Sequence, residues 1–316
     1  MWSAASPEPS RGPKTRLASG AVKVRADAVA LTGPLPAGID EATVAVEPLE
    51  GGRAHQPIGY FESDGGRLAA LRALRGPDAD LPIPAFLVHH PGAGPILVDT
   101  GLHPSVSHDP RDNMGRIASR WFSLEEGGDV PTQLRERGIR PEQIAVVVLT
   151  HLHLDHASAI SEFPNATFVV SSAEWEAATE RPRLIDGYRP RHYDFAFDYV
   201  TVDFDDEDIS SYGSFGRTFD LFGDGSVLLA FTPGHSAGHM SVICALPRRD
   251  FLICGDVAYT WRQLQGGPEP YRVHDRHNWR RSVNEVLAFR QAYPYALIVP
   301  GHDPVFWEKL EPRYEE

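Results

Sequence analysis

The chain has 316 residues, of which 42% are hydrophobic and 10% aromatic. This composition supports a large buried core and excludes a disordered chain or a coiled coil. The formal net charge is −13, from 43 acidic and 30 basic residues, and such a field repels polyanions, so nucleic acid is not an expected partner.

The first twenty residues are rich in Pro, Ser and basic side chains and contain no apolar segment of the kind found in secretory signals. We therefore expect a flexible tail over residues 1–20. No apolar stretch of the sequence approaches the roughly 20 residues that a membrane span needs. The sequence thus predicts a soluble, cytoplasmic protein without a membrane partner.

Short apolar runs bounded by Gly, Pro or Asp predict β-strands, several of them apolar throughout as in strands buried on both faces. These strands are expected at residues 85–89, 95–99, 144–150, 166–170, 227–231, 240–246, 251–254 and 296–299. Apolar residues spaced three and four apart predict helices at residues 67–74, 131–137, 173–179 and 281–292. Because strands and helices alternate without a long linker, we expect a single α/β domain over residues 21–316.

Two stretches do not fit this alternation, residues 103–128 and residues 181–216. The second contains an acidic run at residues 203–208, which is expected to form a solvated loop. The two cysteines, Cys244 and Cys254, stand inside apolar runs and are expected to be buried free thiols.

Directly after the predicted strand at residues 144–150, the chain reads His151-Leu-His153-Leu-Asp155-His156. His151 and His153 leave an extended segment on the same side, because strand side chains repeat every two residues. Asp155 and His156 follow where the chain turns. Imidazole and carboxylate suit zinc, and so dense a cluster exceeds what one tetrahedral ion uses, so the segment predicts a site for two metal ions.

This HxHxDH segment resembles the signature of the metallo-β-lactamase superfamily, which implies an α/β fold built as a four-layer αββα sandwich. The resemblance covers roughly residues 80–305 and implies three later ligands, each of which has a matching residue in the same order. They are His235 in Thr-Pro-Gly-His-Ser-Ala-Gly-His, Asp256 in Cys-Gly-Asp, and His302 in Pro-Gly-His-Asp.

The resemblance also implies how the ligands are shared. One ion would be held by His151, His153 and His235, and the other by Asp155, His156 and His302. Asp256 would bridge the two ions. His239 has no ligand position in the motif, and we expect it to brace the loop that carries His235. Asp99, in Val-Asp-Thr-Gly, would support the ligands through hydrogen bonds, although a simple turn after a strand is an alternative interpretation. The implied cofactor is two Zn²⁺ ions, with manganese, iron or cobalt as alternatives.

A metal pair about 3.5–4 Å apart can hold a bridging hydroxide and bind both the substrate oxygen and the leaving oxygen. Such a site is suited to hydrolysis. Asp155 is the expected proton carrier. Tyr259 stands three residues after Asp256, where the chain resembles the acyl-homoserine lactonase branch. That resemblance implies that the Tyr259 phenol binds the lactone carbonyl or the forming alkoxide, with a partly buried aromatic as the alternative interpretation. We expect a dinuclear metal-dependent hydrolase that opens a small-molecule lactone or ester by attack of the bridging hydroxide.

Other activities use the same ligands. A thioester hydrolase of the glyoxalase II type would want basic residues near its C-terminus, whereas residues 308–316 are mixed and acid-rich. A phosphodiester or phosphotriester hydrolase is the stronger alternative, because a metal pair also serves displacement at phosphorus. A non-catalytic binding protein would be expected to have lost ligands. A homodimer is an open alternative to a monomer. Residues 103–128 and 257–277, both rich in aromatic side chains, are candidates for an apolar acyl pocket.

Overall fold

A computed structural model describes residues 24–63, 78–180 and 184–316 of the chain. The predicted tail at residues 1–20 and the predicted helix at residues 67–74 lie outside these described residues. The single-domain boundary at residue 21 therefore stays a prediction.

The first sheet contains eight strands among the described residues and has mixed strand directions. Five adjacent strands, from one edge to the middle of the sheet, are parallel, and the three remaining pairs are antiparallel. In spatial order the strands are β1 (Ala28–Ala30), β8 (Asp198–Val202), β7 (Thr167–Ser171), β6 (Val146–Val148), β4 (Gly94–Val98), β3 (Asp78–His90), β2 (Ala45–Pro57) and β5 (Phe122–Ser123).

The second sheet contains six strands among the described residues. All of its pairs are antiparallel except one edge pair, which is parallel. In spatial order the strands are β14 (Leu297–Val299), β13 (Asp250–Ile253), β12 (Met240–Ala245), β11 (Val227–Phe231), β10 (Phe215–Asp220) and β9 (Ser210–Tyr212).

Helices cover the outer faces of both sheets. The α-helices of the described residues are α1 (Ile58–Phe61), α2 (Pro110–Ala118), α3 (Val130–Glu136), α4 (Leu154–Ala157), α5 (Ser172–Thr179), α6 (Arg276–Ala292) and α7 (Pro304–Trp307). No helix of the described part of the chain is both long and apolar enough to cross a membrane.

Three apolar clusters define four layers, which confirms the predicted αββα sandwich. Side chains of both sheets meet in the central cluster, where Phe86 of β3 packs on Phe251 of β13 with ring centroids 6.0 Å apart. The outer face of the first sheet packs on α3 and α5 through Leu134 and Ala178. The outer face of the second sheet packs on α6 through residues such as Val286. Burial on both faces explains why β6 and β11 are apolar throughout.

The predicted strands are all present, with boundaries shifted by a few residues. The largest shortening is at β6, and the largest extension is at β3, which begins seven residues before the predicted start at residue 85. Helix α6 begins five residues before the predicted start at residue 281. Asp275 explains that earlier start, because its carboxylate accepts a hydrogen bond from the Asn278 amide and caps the helix. Cys244 and Cys254 are buried free thiols, as expected.

The two stretches that did not fit the predicted alternation contain helical and strand segments. Residues 103–128 contain α2 and β5, and residues 181–216 contain β8 and β9. The acidic run at residues 203–208 is an exposed turn as predicted, except that Phe204 is buried in the central cluster.

Candidate metal centre

The HxHxDH segment lies where β6 ends and turns into the short helix α4. His151 follows the strand in an extended loop, His153 is the N-cap residue of α4, and Asp155 and His156 lie in its first turn. His151 and His156 are fully buried. The turn from strand to helix therefore aims four polar side chains into one interior space.

The other three predicted ligands approach from the second sheet. His235 lies in the loop between β11 and β12, Asp256 in the turn after β13, and His302 directly after β14. All three are at least nine-tenths buried. The fold thus brings together all seven side chains that the motif analysis selected.

Three imidazoles form the first group. Nε2 of His235 lies 3.2 Å from Nε2 of His151 and 2.9 Å from Nδ1 of His153. Their nitrogen atoms converge closely enough to hold one metal ion. Burial is the main cause that lowers the pKa of each of these histidines, which favours the neutral imidazole that metals require.

Asp155, His156 and His302 form the second group. Oδ2 of Asp155 lies 3.9 Å from Nε2 of His156 and 4.0 Å from Nε2 of His302. The pKa values of His156 and His302 are both raised. Burial by itself would lower them, but the negative charges of Asp256 and Asp155 outweigh the effect of burial. This second group therefore favours a positive charge at its centre.

Asp256 lies between the two groups and turns one carboxylate oxygen toward each. Oδ2 lies 3.3 Å from Nε2 of His235 and 3.8 Å from Nε2 of His151. Oδ1 lies 3.1 Å from Nε2 of His302 and 3.4 Å from Nε2 of His156. One buried carboxylate thus has the geometry of a bridge between two cation sites.

Two buried polar atoms of the site lack hydrogen-bond partners, and this also suits the binding of metal ions. His156 Nε2 and Asp256 Oδ1 are both buried, and neither makes a hydrogen bond despite their 3.4 Å contact. Buried polar atoms without partners are costly and uncommon in folded proteins. A cation between these two atoms would satisfy both of them.

Hydrogen bonds behind the ligands hold their outer nitrogens. His156 Nδ1 contacts Asp99 Oδ2 at 2.8 Å, and His302 Nδ1 contacts the Pro82 carbonyl at 2.7 Å. Both contacts suit an Nδ1–H that donates, which leaves the Nε2 lone pair facing the centre. Asp99 therefore contacts a candidate ligand directly, which a simple turn residue would not do.

His239 connects two ligand-bearing segments and is not itself in either group. Its Nδ1 contacts Thr232, at the start of the loop that carries His235, and its Nε2 accepts a hydrogen bond from the Asp256 amide at 2.9 Å. Burial lowers the pKa of His239 to about 4. The residue therefore braces the Asp256 turn as well as the His235 loop.

Tyr259 is buried beside the first group, where its hydroxyl lies 3.0 Å from Nδ1 of His235. Its ring centroid lies 5.6 Å from that of His302, so the phenol lies close to both groups. Burial raises its pKa, followed by the charge of Asp256. The phenol is thus a protonated hydroxyl at the edge of the metal centre.

An apolar wall adjoins Tyr259, and it includes part of the aromatic-rich stretch at residues 103–128. Phe61 of α1 packs edge-on against Tyr259 with ring centroids 5.1 Å apart. Met114, Phe122 and Leu124 belong to the same buried cluster. Trp261, by contrast, stacks on Phe306 near α7. The wall therefore contains a residue of α1, a helix that the sequence did not predict, together with residues of the stretch at 103–128 that was expected to line a pocket.

Glu174 is a buried charged residue at this site that the sequence analysis overlooked. It lies in α5 and is fully buried, and its carboxylate contacts the segments on either side of the first group. The helix carries two acidic residues, Glu174 and Glu176, and nothing in the local sequence distinguishes the buried one from the exposed one. Acidic residues are usually solvent-exposed.

Comparisons with known proteins identify a family and several relatives. A family model described as the metallo-beta-lactamase superfamily matches residues 78–302. The N-acyl homoserine lactonase AttM of Rhizobium radiobacter is 33% identical over 241 residues, which cover 75% of this chain and 87% of the relative. The N-acyl homoserine lactonase AiiB of Agrobacterium fabrum is 26% identical over 239 residues, covering 71% of this chain and 80% of the relative.

Solved structures show the same fold. An N-acyl homoserine lactone hydrolase with N-hexanoyl-L-homoserine bound at its metal centre aligns with a TM-score of 0.68 and 21% identity, covering 88% of this chain and 98% of that one. AidC, a dizinc quorum-quenching lactonase, aligns with a TM-score of 0.56 and 16% identity, covering 84% and 92%. From the extent of the family match and the identity to AttM, the chain belongs to the metallo-β-lactamase superfamily.

Proposed function

We propose that this protein is a zinc-dependent hydrolase that opens small lactones of the N-acyl homoserine type. The observation that carries the proposal is the placement of Asp256, whose two oxygens each face a separate group of ligand atoms. That arrangement suits two ions that share one carboxylate. The substrate class is supported by the lactonases among the relatives, including AttM at 33% identity.

In this proposal each ligand keeps the role that its position suggests. His151, His153 and His235 would hold one Zn²⁺ ion, and Asp155, His156 and His302 would hold the other. Asp256 would contribute one oxygen to each ion. Imidazole and carboxylate donors are compatible with zinc, and also with manganese, iron or cobalt. When bound, the metal pair supplies a strongly polarised water and neutralises negative charge that develops on the substrate.

The protein side chains then orient the lactone and move protons. If His235 Nε2 is a ligand, its Nδ1 carries the hydrogen and donates it to the Tyr259 hydroxyl, 3.0 Å away. The phenolic proton is then free to donate to an oxygen of the lactone. Such a donor stabilises the negative charge of the tetrahedral intermediate.

Asp155 is the proposed proton carrier. The water oxygen bonds to the lactone carbonyl carbon, and the ring C–O bond then breaks to leave an alkoxide. Asp155 takes the proton from the attacking water and delivers it to that alkoxide, so the product is a hydroxy acid. Its carboxylate lies in the second group, and its side chain is 16% exposed, which is compatible with contact to a substrate.

A direct comparison of substrates tests the proposal. The zinc-loaded protein is assayed with N-hexanoyl-homoserine lactone, and acid release is followed with a pH indicator while mass spectrometry identifies the hydroxy acid. S-lactoylglutathione and bis(p-nitrophenyl) phosphate are assayed at matched concentrations. We expect kcat/KM for the lactone to exceed both other values by about tenfold or more.

The Asp256→Ala variant serves as the inactive reference in that comparison. Lactone turnover no faster than this variant would contradict the proposed activity. A phosphodiester rate above the lactone rate would instead assign the metal centre to phosphorus chemistry.

A further inference from the structure

Glu174 is a fully buried carboxylate that accepts hydrogen bonds on both oxygens. Oε1 accepts from the Leu152 amide at 3.0 Å. Oε2 accepts from the Ser236 hydroxyl at 2.7 Å and from the Gly238 amide at 2.9 Å. A buried charge is costly unless it is well hydrogen-bonded, and here the partners come from two distant segments.

These partners are the direct neighbours of the first group of imidazoles. Leu152 stands between His151 and His153, and Ser236 follows His235 directly. The Glu174 carboxylate therefore joins the two segments whose three nitrogen atoms converge. No hydrogen bond from Glu174 to the second group occurs among the described residues.

The approach of the two segments at Glu174 is close. A side chain on Gly238 would meet the Ser171 hydroxyl at 2.1 Å and the Glu174 amide at 2.2 Å. Ser171, the N-cap of α5, also donates its hydroxyl hydrogen bond to the Gly238 carbonyl at 2.6 Å. The start of α5 is thus hydrogen-bonded to the loop of His235 through both its cap residue Ser171 and Glu174.

Tyr188 packs against His153, with its ring centroid 5.2 Å from that of the imidazole. Burial raises the pKa of the Tyr188 phenol, followed by the charge of Glu174. Gly187 also lies close to the imidazole, since a side chain there would lie 2.7 Å from Cδ2 of His153.

We infer that Glu174 is a positioning residue for the ion held by His151, His153 and His235, and that it acts on this ion selectively. The inference rests on the proposed metal binding. The second group has separate supports, since Asp99 holds His156 and the Pro82 carbonyl holds His302. Loss of Glu174 should therefore loosen one metal site and spare the other.

Glu174→Gln is the sharpest substitution, because it keeps the shape and removes one acceptor oxygen. All three hydrogen-bond partners are donors, so the new NH₂ group must face at least one N–H or O–H. Ser236 can rotate its hydroxyl to accept, but the Gly238 and Leu152 amides cannot. One of the two segments then loses its anchor.

The experiment measures both zinc dissociation constants by competition with a chromophoric chelator. We expect Glu174→Gln to raise the dissociation constant of one zinc ion by about 10–100-fold. The dissociation constant of the other ion should stay within about threefold of the wild-type value. His153→Ala, which removes a ligand of the first group alone, identifies which ion is lost. Cobalt substitution adds a spectroscopic readout, because the visible absorption of only one of two Co²⁺ ions should change.

Glu176→Gln is the matched control, since Glu176 is an exposed residue on the same helix. Its two zinc dissociation constants should equal those of the wild type. If Glu174→Gln weakens the binding of both ions equally, or of neither ion, the inference is overturned. If that variant does not fold, Ser236→Ala removes one partner and should weaken the same ion to a smaller degree; unchanged affinity there also overturns it. A wild-type protein that binds no zinc would instead contradict the proposed function.

Discussion

Asp99 Oδ2 lies 2.8 Å from Nδ1 of His156, and this contact joins the end of β4 to the HxHxDH segment. The same carboxylate accepts hydrogen bonds from the amide and the hydroxyl of Thr150, each at 2.8 Å. Asp99 adopts a positive φ of 58°, a region that Asp tolerates better than most residues. The backbone is therefore placed so that this carboxylate orients the imidazole.

Asp99→Asn should weaken the ion of the second group. Asn tolerates the positive φ, but its NH₂ group donates and cannot accept, so at least one of the hydrogen bonds from His156 and Thr150 is lost. We expect about 10–100-fold weaker binding of one zinc ion, measured by competition with a chelator. Asp109→Asn, which alters the cap of α2, is the control. Two unchanged dissociation constants in Asp99→Asn would show that Asp99 is only a turn residue.

Tyr259→Phe should lower kcat for lactone hydrolysis and retain both metal ions. The substitution removes the hydroxyl next to His235 but keeps the buried ring against Phe61. Loss of one donor to a developing oxyanion costs about 10²–10³-fold in kcat. Steady-state kinetics and metal analysis test this, with Tyr212→Phe at the far edge of the second sheet as the control. An unchanged kcat would remove Tyr259 from the reaction.

Asp256→Ala should lower the metal content below two ions per chain and abolish turnover. The substitution removes the two oxygens that face the separate groups and leaves clustered imidazoles without their central carboxylate. Metal analysis after gel filtration gives the stoichiometry. Asp250→Asn, at the opposite end of β13, should retain both ions. Two tightly bound ions in Asp256→Ala would contradict the bridging role.

Chelation should destabilise the folded protein. A ligand that binds only the folded state contributes about 2.7 kcal/mol for each site when its free concentration is 100 times Kd. We therefore expect Tm to fall when zinc is removed and to rise again with added zinc in a concentration-dependent way. Differential scanning calorimetry at several zinc concentrations measures this. A Tm independent of zinc would mean that the seven side chains bind no metal in the folded protein.

His192 should make the wild-type protein less stable as the pH falls. Burial lowers its pKa from 6.5 to about 3 in the folded state, so between these values the unfolded chain binds a proton that the folded chain does not. The free energy of unfolding then falls with decreasing pH, by up to about 1.4 kcal/mol per pH unit. Denaturant titrations between pH 6 and pH 4.5 should show a shallower dependence for His192→Gln. His108→Gln, at an exposed position, should keep the wild-type slope; parallel curves for His192→Gln would contradict the prediction.

The strands of the core were predictable because burial on both faces leaves a local signal in the sequence. β6, for example, is a run of three valines that are all buried. The 13-residue strand β2 was not predicted, because it contains Pro48 and the pair Gly51 and Gly52, which usually interrupt strands. Its neighbours decide its structure: β3 and β5 pair with it, and the register shift between Glu50 and Arg53 accommodates the glycines. Gly51 lies so close to Gly101 that a side chain would meet the Gly101 Cα at 2.7 Å.

The sequence by itself determined which residues are candidate ligands and in what order they occur, because each motif is local and follows a recognisable strand. It could not determine that Asp256 divides its two oxygens between two groups, or that Glu174 joins the segments around His151 and His235. Those relationships connect residues that are far apart in the chain. Only the stacking of the two sheets brings their loops to a common edge, and no local propensity specifies the distances between atoms that meet there.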